Sequence, residues 1–215
     1  MNTLNYIKID FLKNKRQIIL IPMFAIFAVL LSKNSNISGA SYAMFAGTIV
    51  GINAFTSEKI KEIGFISMLP GKNINKVAGR FLYGMINMVI LEVLFLALYC
   101  IISDFSNTVL DKEKIFLIVL STMAGIVLIS IEYTIFYILG KFKSQSLFTF
   151  IMMLPGMLLF FLSVFFLEDE KFLNFLFTRS IEEIYLLVTV AFIIIVSLCF
   201  TISVIVVNKK DERND

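Results

Sequence analysis

The chain contains no histidine and no tryptophan, only two cysteines and three prolines, and charged residues make up just 16% of its 215 positions. Without histidine the commonest proton shuttle and metal ligand is missing, so His-based triads and zinc sites are excluded. Cys100 and Cys199 both sit inside apolar runs. They read as small hydrophobic residues and imply neither a disulfide nor a metal framework. No G-x-x-x-x-G-K-[ST] occurs: Gly71-Lys72 and Gly140-Lys141 lack both the upstream glycine and the following hydroxyl, so the chain has no P-loop for ATP. No cleavable signal peptide is read at the N-terminus, where no small-residue site follows the first apolar run. A net charge of +3 points to no nucleic-acid partner.

What is abundant is apolar. Hydrophobic residues make up 59% of the chain and the mean hydropathy is +0.90, too oily to cover a soluble surface. Residues 1–16 precede the first apolar run, with Leu4, Ile7, Phe11 and Leu12 read as one helical face and Lys8, Lys13, Lys15 and Arg16 as charge. This predicts an amphipathic helix lying in the membrane interface. Six apolar runs follow, at about 17–32, 38–56, 79–103, 115–140, 146–167 and 184–207. About 20 helical residues cross a bilayer core, so the expected fold is an all-α membrane bundle of six spans forming one transmembrane domain over 1–215. The fifth span is expected to kink at Pro155-Gly156, and the 168–183 segment to cap the outer face or simply connect.

Charge sets the orientation. The N-terminus, 57–80, 141–145 and 208–215 hold fourteen of the 19 basic residues, and the other connections hold five. The positive-inside rule then places both termini and the 57–80 loop in the cytoplasm. The opposite connections are acidic, with Asp104, Asp111, Glu113, Glu168, Asp169, Glu170, Glu182 and Glu183.

Two carboxylates, Glu92 and Glu132, fall inside spans, where ionisable groups are costly and therefore candidates for function. Counted from Arg80 and Gly140 as one membrane edge, they are expected within about one turn of each other on a hairpin of spans. They either line a substrate path, with Asn53 and Asn87, or hydrogen-bond helices together. The second span carries small residues, with Gly47 and Gly51 in a GxxxG that Ala43 extends. Such a face permits close helix approach, within the bundle or against a second subunit.

The 57–80 segment is the longest polar stretch between spans and holds five basic residues and two carboxylates. Glu58, Lys59, Ile60, Lys61, Glu62, Ile63, Gly64 and Phe65 read as a two-turn amphipathic helix with Ser57 as its N-cap. Leu69-Pro70-Gly71 is a turn signal. Lys72, Lys76 and Arg80 recur every fourth residue, placed to reach phosphates or acidic partner groups.

These features resemble the permease subunits of the type 2 ABC exporters. Glu58-Lys59, Leu69-Pro70 and Lys72 are similar to that family's E-K, L-P and basic residue between spans two and three, and Tyr137-Ile138-Leu139-Gly140-Lys141 to its ending of span four. Gly71 departs from the β-branched residue common after the proline, and Glu132 stands where members often have proline. The resemblance implies that 58–65 is a coupling helix gripped by a separate ABC ATPase subunit, which binds ATP and Mg. Pro70, Gly71, Lys72, Lys76 and Arg80 would then transmit its motion into the third span. It further implies two permease copies, or one copy with a homologue, embedded in membrane lipid of a bacterial cell. The exported substrate would be amphipathic, and permeases for phenol-soluble modulins or for self-protection against antimicrobial peptides are the nearest fit by size. Two other readings stay open: a substrate-binding membrane component of a vitamin uptake transporter, and a structural membrane protein without transport. Glu182-Glu183 is similar to the paired glutamates of membrane CAAX-type proteases, but that family's arginine is Leu187 here and its histidines are absent. No enzymatic activity of the chain itself is expected.

Overall fold

A computed structural model describes residues 2–15, 19–32, 36–56, 70–106, 112–146 and 181–211. Every regular element among them is helical: α1 (Thr3–Lys13), α2 (Leu20–Ser32), α3 (Asn36–Thr56), α4 (Asn73–Ser106), α5 (Lys112–Ser146) and α6 (Ile181–Asp211). The expected fifth span with Pro155, the 168–183 cap and the helix at 58–65 lie outside the described residues. Three stretches are long and apolar enough to cross a membrane, Asn73–Ile101, Ile118–Leu139 and Glu183–Lys210, and two shorter apolar ones lie at Leu20–Leu31 and Tyr42–Ile52.

Glycine sets how closely these helices pack. Lipid supplies no hydrophobic drive for one helix to bind another, so small residues that admit close contact take its place. Met88 of α4 lies where a side chain on Gly47 of α3 or Gly125 of α5 would stand. Gly51 opens the same face to Ile129, whose Cδ1 lies 3.0 Å from the position of an added Cβ. The Tyr133 hydroxyl donates to the Gly51 carbonyl. The small-residue face of the second span is thus filled within the bundle by α4 and α5. Around Met88 one core gathers Met44, Val77, Phe81, Tyr83, Ile126, Ile129, Tyr133 and Cys199. A second, nearer the other end, joins Ile21, Ala28 and Val29 of α2 to Ala43, Ala46 and Val50 of α3, with Leu91 and Phe95 of α4.

Among the described residues, α6 joins this bundle along one side. Thr134 of α5 lies 3.2 Å from the Ser203 hydroxyl and donates toward the Cys199 carbonyl at 3.1 Å. At their shared end, Lys210 donates to the Tyr137 and Ile138 carbonyls, and Asn73 Nδ2 donates to Asn208 Oδ1 at 3.0 Å. The rest of α6, including Leu186, Ile193, Ile194 and Leu198, faces outward.

Several boundaries differ from expectation. α4 starts at Asn73 rather than 79, because Gly71 (φ 145°) makes the turn and the Lys72 carbonyl accepts from the amides of Asn75 and Lys76 at 3.0 and 3.3 Å. That φ is open to glycine and strained for other residues, which accounts for Gly71 where a β-branched residue is common. α5 continues through Tyr137–Lys141 to Ser146; a lone glycine weakens a helix by only about 1 kcal/mol.

α1 is a packed helix. It docks on the start of α4, where a Cβ added to Gly79 would lie 2.5 Å from Tyr6 Cβ and 3.3 Å from the Thr3 carbonyl. Its buried face is Tyr6, Ile7 and Asp10. Leu4 and Leu12 are 75% and 61% exposed, so they do not share the face of Ile7 as expected. They alternate instead with exposed Lys8 and Lys15, a surface whose apolar stems suit a membrane interface. Gly79→Ala is expected to displace α1, since the atom it strikes is rooted on the opposing backbone. Overpacking of this kind costs roughly 1–3 kcal/mol. Hydrogen exchange of residues 3–13 should rise while that of α5 stays constant; unchanged exchange of α1 would contradict the close approach.

Candidate functional site

The chain brings three elements to the foot of the 57–69 segment: the end of α3, the start of α4, and α1. Phe55 is the penultimate residue of α3. It stacks on Phe136 at 5.1 Å between ring centres and meets Tyr133 and Tyr137 edge-on at 4.9 and 5.1 Å. The Arg80 guanidinium carbon lies 4.3 Å over the same Phe55 ring, a cation–π contact worth about 2 kcal/mol when desolvated. On the other side of the segment, the Tyr6 hydroxyl donates to the Pro70 carbonyl at 3.1 Å. Thr3 and Asn75 side chains meet at 3.5 Å, and Phe11 packs edge-on against Tyr83 at 4.9 Å. Phe55 and Pro70, on either side of 57–69, are therefore both fastened to one frame.

A buried ion pair sits in that frame. Arg80 Nε lies 3.9 Å from Asp10 Oδ2, with Asp10 fully buried and Arg80 5% exposed. At this distance attraction is worth about 4 kcal/mol at an effective dielectric of 20, while desolvation removes several kcal/mol per ion. Desolvation wins at Asp10: burial raises its pKa, and the nearby Arg80 and Lys13 charges pull it only part of the way back. Sequence reasoning missed Asp10, although it is the only carboxylate before Glu58. An isolated acid in a basic segment was the available signal.

The hinge residues do not all point one way. Lys72 is exposed, but Lys76 and Arg80 are buried. The expectation that all three present charge to a partner is corrected: Lys76 and Arg80 are buried, and Arg80 meets an acidic group of its own chain, Asp10 of α1. Glu58, Lys59, Ile60, Lys61, Glu62, Ile63, Gly64 and Phe65 lie outside the described residues.

The membrane carboxylates are also separated. The α4/α5 register is fixed by Gly84 beside Ile129 and Tyr133, and by Met88 beside Gly125. It continues at Glu92, whose Oε1 accepts from the Ser121 hydroxyl at 3.0 Å. Glu132 lies eleven residues further along α5 than Ser121, about 16 Å in depth. The two carboxylates are therefore not within one turn. The assumption that failed was a common edge at Arg80 and Gly140, since this register sets Gly140 opposite the start of α4 and Arg80 well inside. Glu92 and Glu132 are both buried, and neither Glu132 oxygen makes a hydrogen bond. Asn87 uses its amide on the Tyr83 carbonyl of its own helix at 2.9 Å. Asn53 lies on α3 two residues before Phe55.

The sign of Asp10 gives a pH test. A carboxyl whose folded pKa is raised binds protons more tightly in the docked state, so docking weakens as pH rises from the ordinary Asp range through the raised value. Exchange at α1, corrected for intrinsic rates, is expected to increase across that window, and Asp10→Asn should flatten the dependence. An Asp10→Asn chain with the same pH profile would refute the assignment.

No curated protein and no solved structure matches the chain. A family model described as ABC-2 family transporter protein matches residues 5–209. The match runs from α1 through α6 and so includes the frame at the foot of 57–69, and the three long apolar helices agree with a membrane component. The chain belongs to the ABC-2 family of transporter membrane proteins.

Proposed function

We propose that this chain is the permease subunit of an ATP-driven exporter, in which residues 58–65 are gripped by a separate ATPase subunit that binds ATP and Mg. The observation that carries the reading is the double fastening of 57–69: Phe55 under Arg80 at one end and Pro70 tied to Tyr6 at the other. A force applied to a segment held at both ends passes into α3, α4 and α1 together.

In this reading the chain spans a bacterial cell membrane six times, with both termini and 57–80 in the cytoplasm, following the fourteen-to-five division of basic residues. It works as a pair of permeases, two copies or one copy with a homologue. The substrate is amphipathic, a peptide or a lipid-like molecule, and leaves outward or into the outer leaflet. Asn53, Asn87, Glu92 and Glu132 are the candidates for its path. Glu132, buried without a hydrogen bond, and Glu92, held by Ser121, would act at two depths along that path.

Reversing charge with Glu58→Lys or Lys61→Glu, or inserting charge with Ile63→Asp, should uncouple ATP hydrolysis by the assembled complex from transport while the bundle stays folded. Hydrolysis and transport remaining coupled in all three variants would overturn the proposal. Glu92→Gln is expected to lose transport by at least tenfold, about 1.4 kcal/mol, while retaining assembly with the ATPase. Loss of assembly instead would make Glu92 a packing residue.

A further inference from the structure

Glu132 is 1% exposed, and neither of its carboxyl oxygens makes a hydrogen bond. A buried acid without a partner is costly, and a cation carrying N–H donors lowers that cost. Arg80 does not fill the role. It stands one turn of α4 before Gly84, which lies beside Ile129 and Tyr133, and is engaged by Asp10 and Phe55. One turn from Glu132 along the same face of α5 is Phe136, buried against Ile52 and stacked on Phe55 at 5.1 Å between ring centres. Arg80 lies 4.3 Å over that Phe55 ring, so the stack already accepts a cation through a ring face. Two turns from Glu132 in the other direction, on the same face, is Gly125. A Cβ added there would strike the Met88 side chain and lie 3.1 Å from Met44 Cγ. An acid, an aromatic stack and two methionines thus follow one face of α5 over about 16 Å of helix.

We propose that Glu132 and Phe136 form a site for the ammonium or guanidinium end of an aliphatic amphipath, whose apolar chain lies toward Met44 and Met88. The inference rests on the permease reading and gives it a substrate class, a cationic one. The carboxylate accepts from N–H donors, and the aromatic ring attracts the same positive charge. Unbranched thioether side chains re-pack to admit aliphatic chains of differing shape. Charge selects the sign of the ligand. The stretches Leu20–Leu31, Tyr42–Ile52, 81–101, Ile118–Leu139 and 185–207 hold no lysine or arginine, and Glu92 is the only other charged residue in them. An anionic headgroup finds no partner there.

The test uses the full chain in phosphatidylcholine nanodiscs without the ATPase, so it fails or succeeds independently of the coupling variants at 58–65. Equilibrium dialysis compares dodecylamine, an ammonium at neutral pH like a lysine side chain, with dodecanol, which has the same chain and no charge. Retention by empty nanodiscs is subtracted, and thermal melting confirms that each variant is folded. The wild-type chain should retain dodecylamine roughly tenfold or more over dodecanol, the scale of one hydrogen bond to a charged group. Glu132→Gln should reduce retention of dodecylamine to that of dodecanol. Phe136→Leu, which keeps the acid and removes the ring, should lower dodecylamine several-fold and leave dodecanol unchanged. Glu183→Gln, which alters an exposed acid of α6, should change neither. Equal retention of the two probes by the wild type would overturn the proposal, as would undiminished retention of dodecylamine by folded Glu132→Gln. If Glu132→Gln does not fold, undiminished retention by folded Phe136→Leu overturns it instead. A loss in Glu183→Gln as large as that in Glu132→Gln would reveal general attraction to carboxylates and also overturn it.

Discussion

The close approach of α3, α4 and α5 around Met88 is the constraint on which the remaining geometry depends. Gly47 and Gly125 leave the space that the Met88 side chain fills, and this sets the register of α4 against α5. From the register follow the partnership of Glu92 with Ser121, the depth of Glu132 and the meeting of Phe81 with Tyr133. In a bilayer such packing supplies what apolar burial supplies in water. A methionine suits the position because its thioether can follow an irregular gap between two backbones.

The polar chemistry divides by depth. At the basic end, charge is shared among helices that are distant in sequence: buried Asp10 with buried Arg80, Arg80 with Phe55, and exposed Lys210 with the carbonyls of α5. Further in, several hydroxyls bond the backbone of their own helix, such as Ser130 to Ile126 and Ser203 to Cys199. The first kind ties elements together, and the second keeps a polar atom satisfied inside the membrane. Glu132 belongs to neither group.

Much of the fold could be read directly, because apolar runs of span length and the positions of glycine carry strong physical signals. The second, third, fourth and sixth runs correspond to α3, α4, α5 and α6, and the GxxxG of α3 is a packing face. What could not be read was register. The depths of Glu92 and Glu132 depended on which residues mark the membrane edge, and Arg80 looked like an edge residue because it is charged. Its burial depends on Asp10, seventy residues earlier, and no local pattern encodes that pairing. The same reason hid the buried face of α1: hydrophobicity favoured Leu4 and Leu12, whereas close approach at Gly79 selected Tyr6, Ile7 and Asp10.

The docking of α1 also bears on the order in which the chain is made. Tyr6 and Thr3 find their partners at Pro70 and Asn75, which lie 64 and 72 residues later. α1 therefore cannot take its place until α2 and α3 have been made and the start of α4 has emerged. In the interval its Asp10 has no Arg80 to face, and its exposed row of Leu4, Lys8, Leu12 and Lys15 is the surface able to rest on the membrane. α1 is thus fitted after two helices that follow it in sequence, and its arrival closes the frame between Phe55 and Pro70.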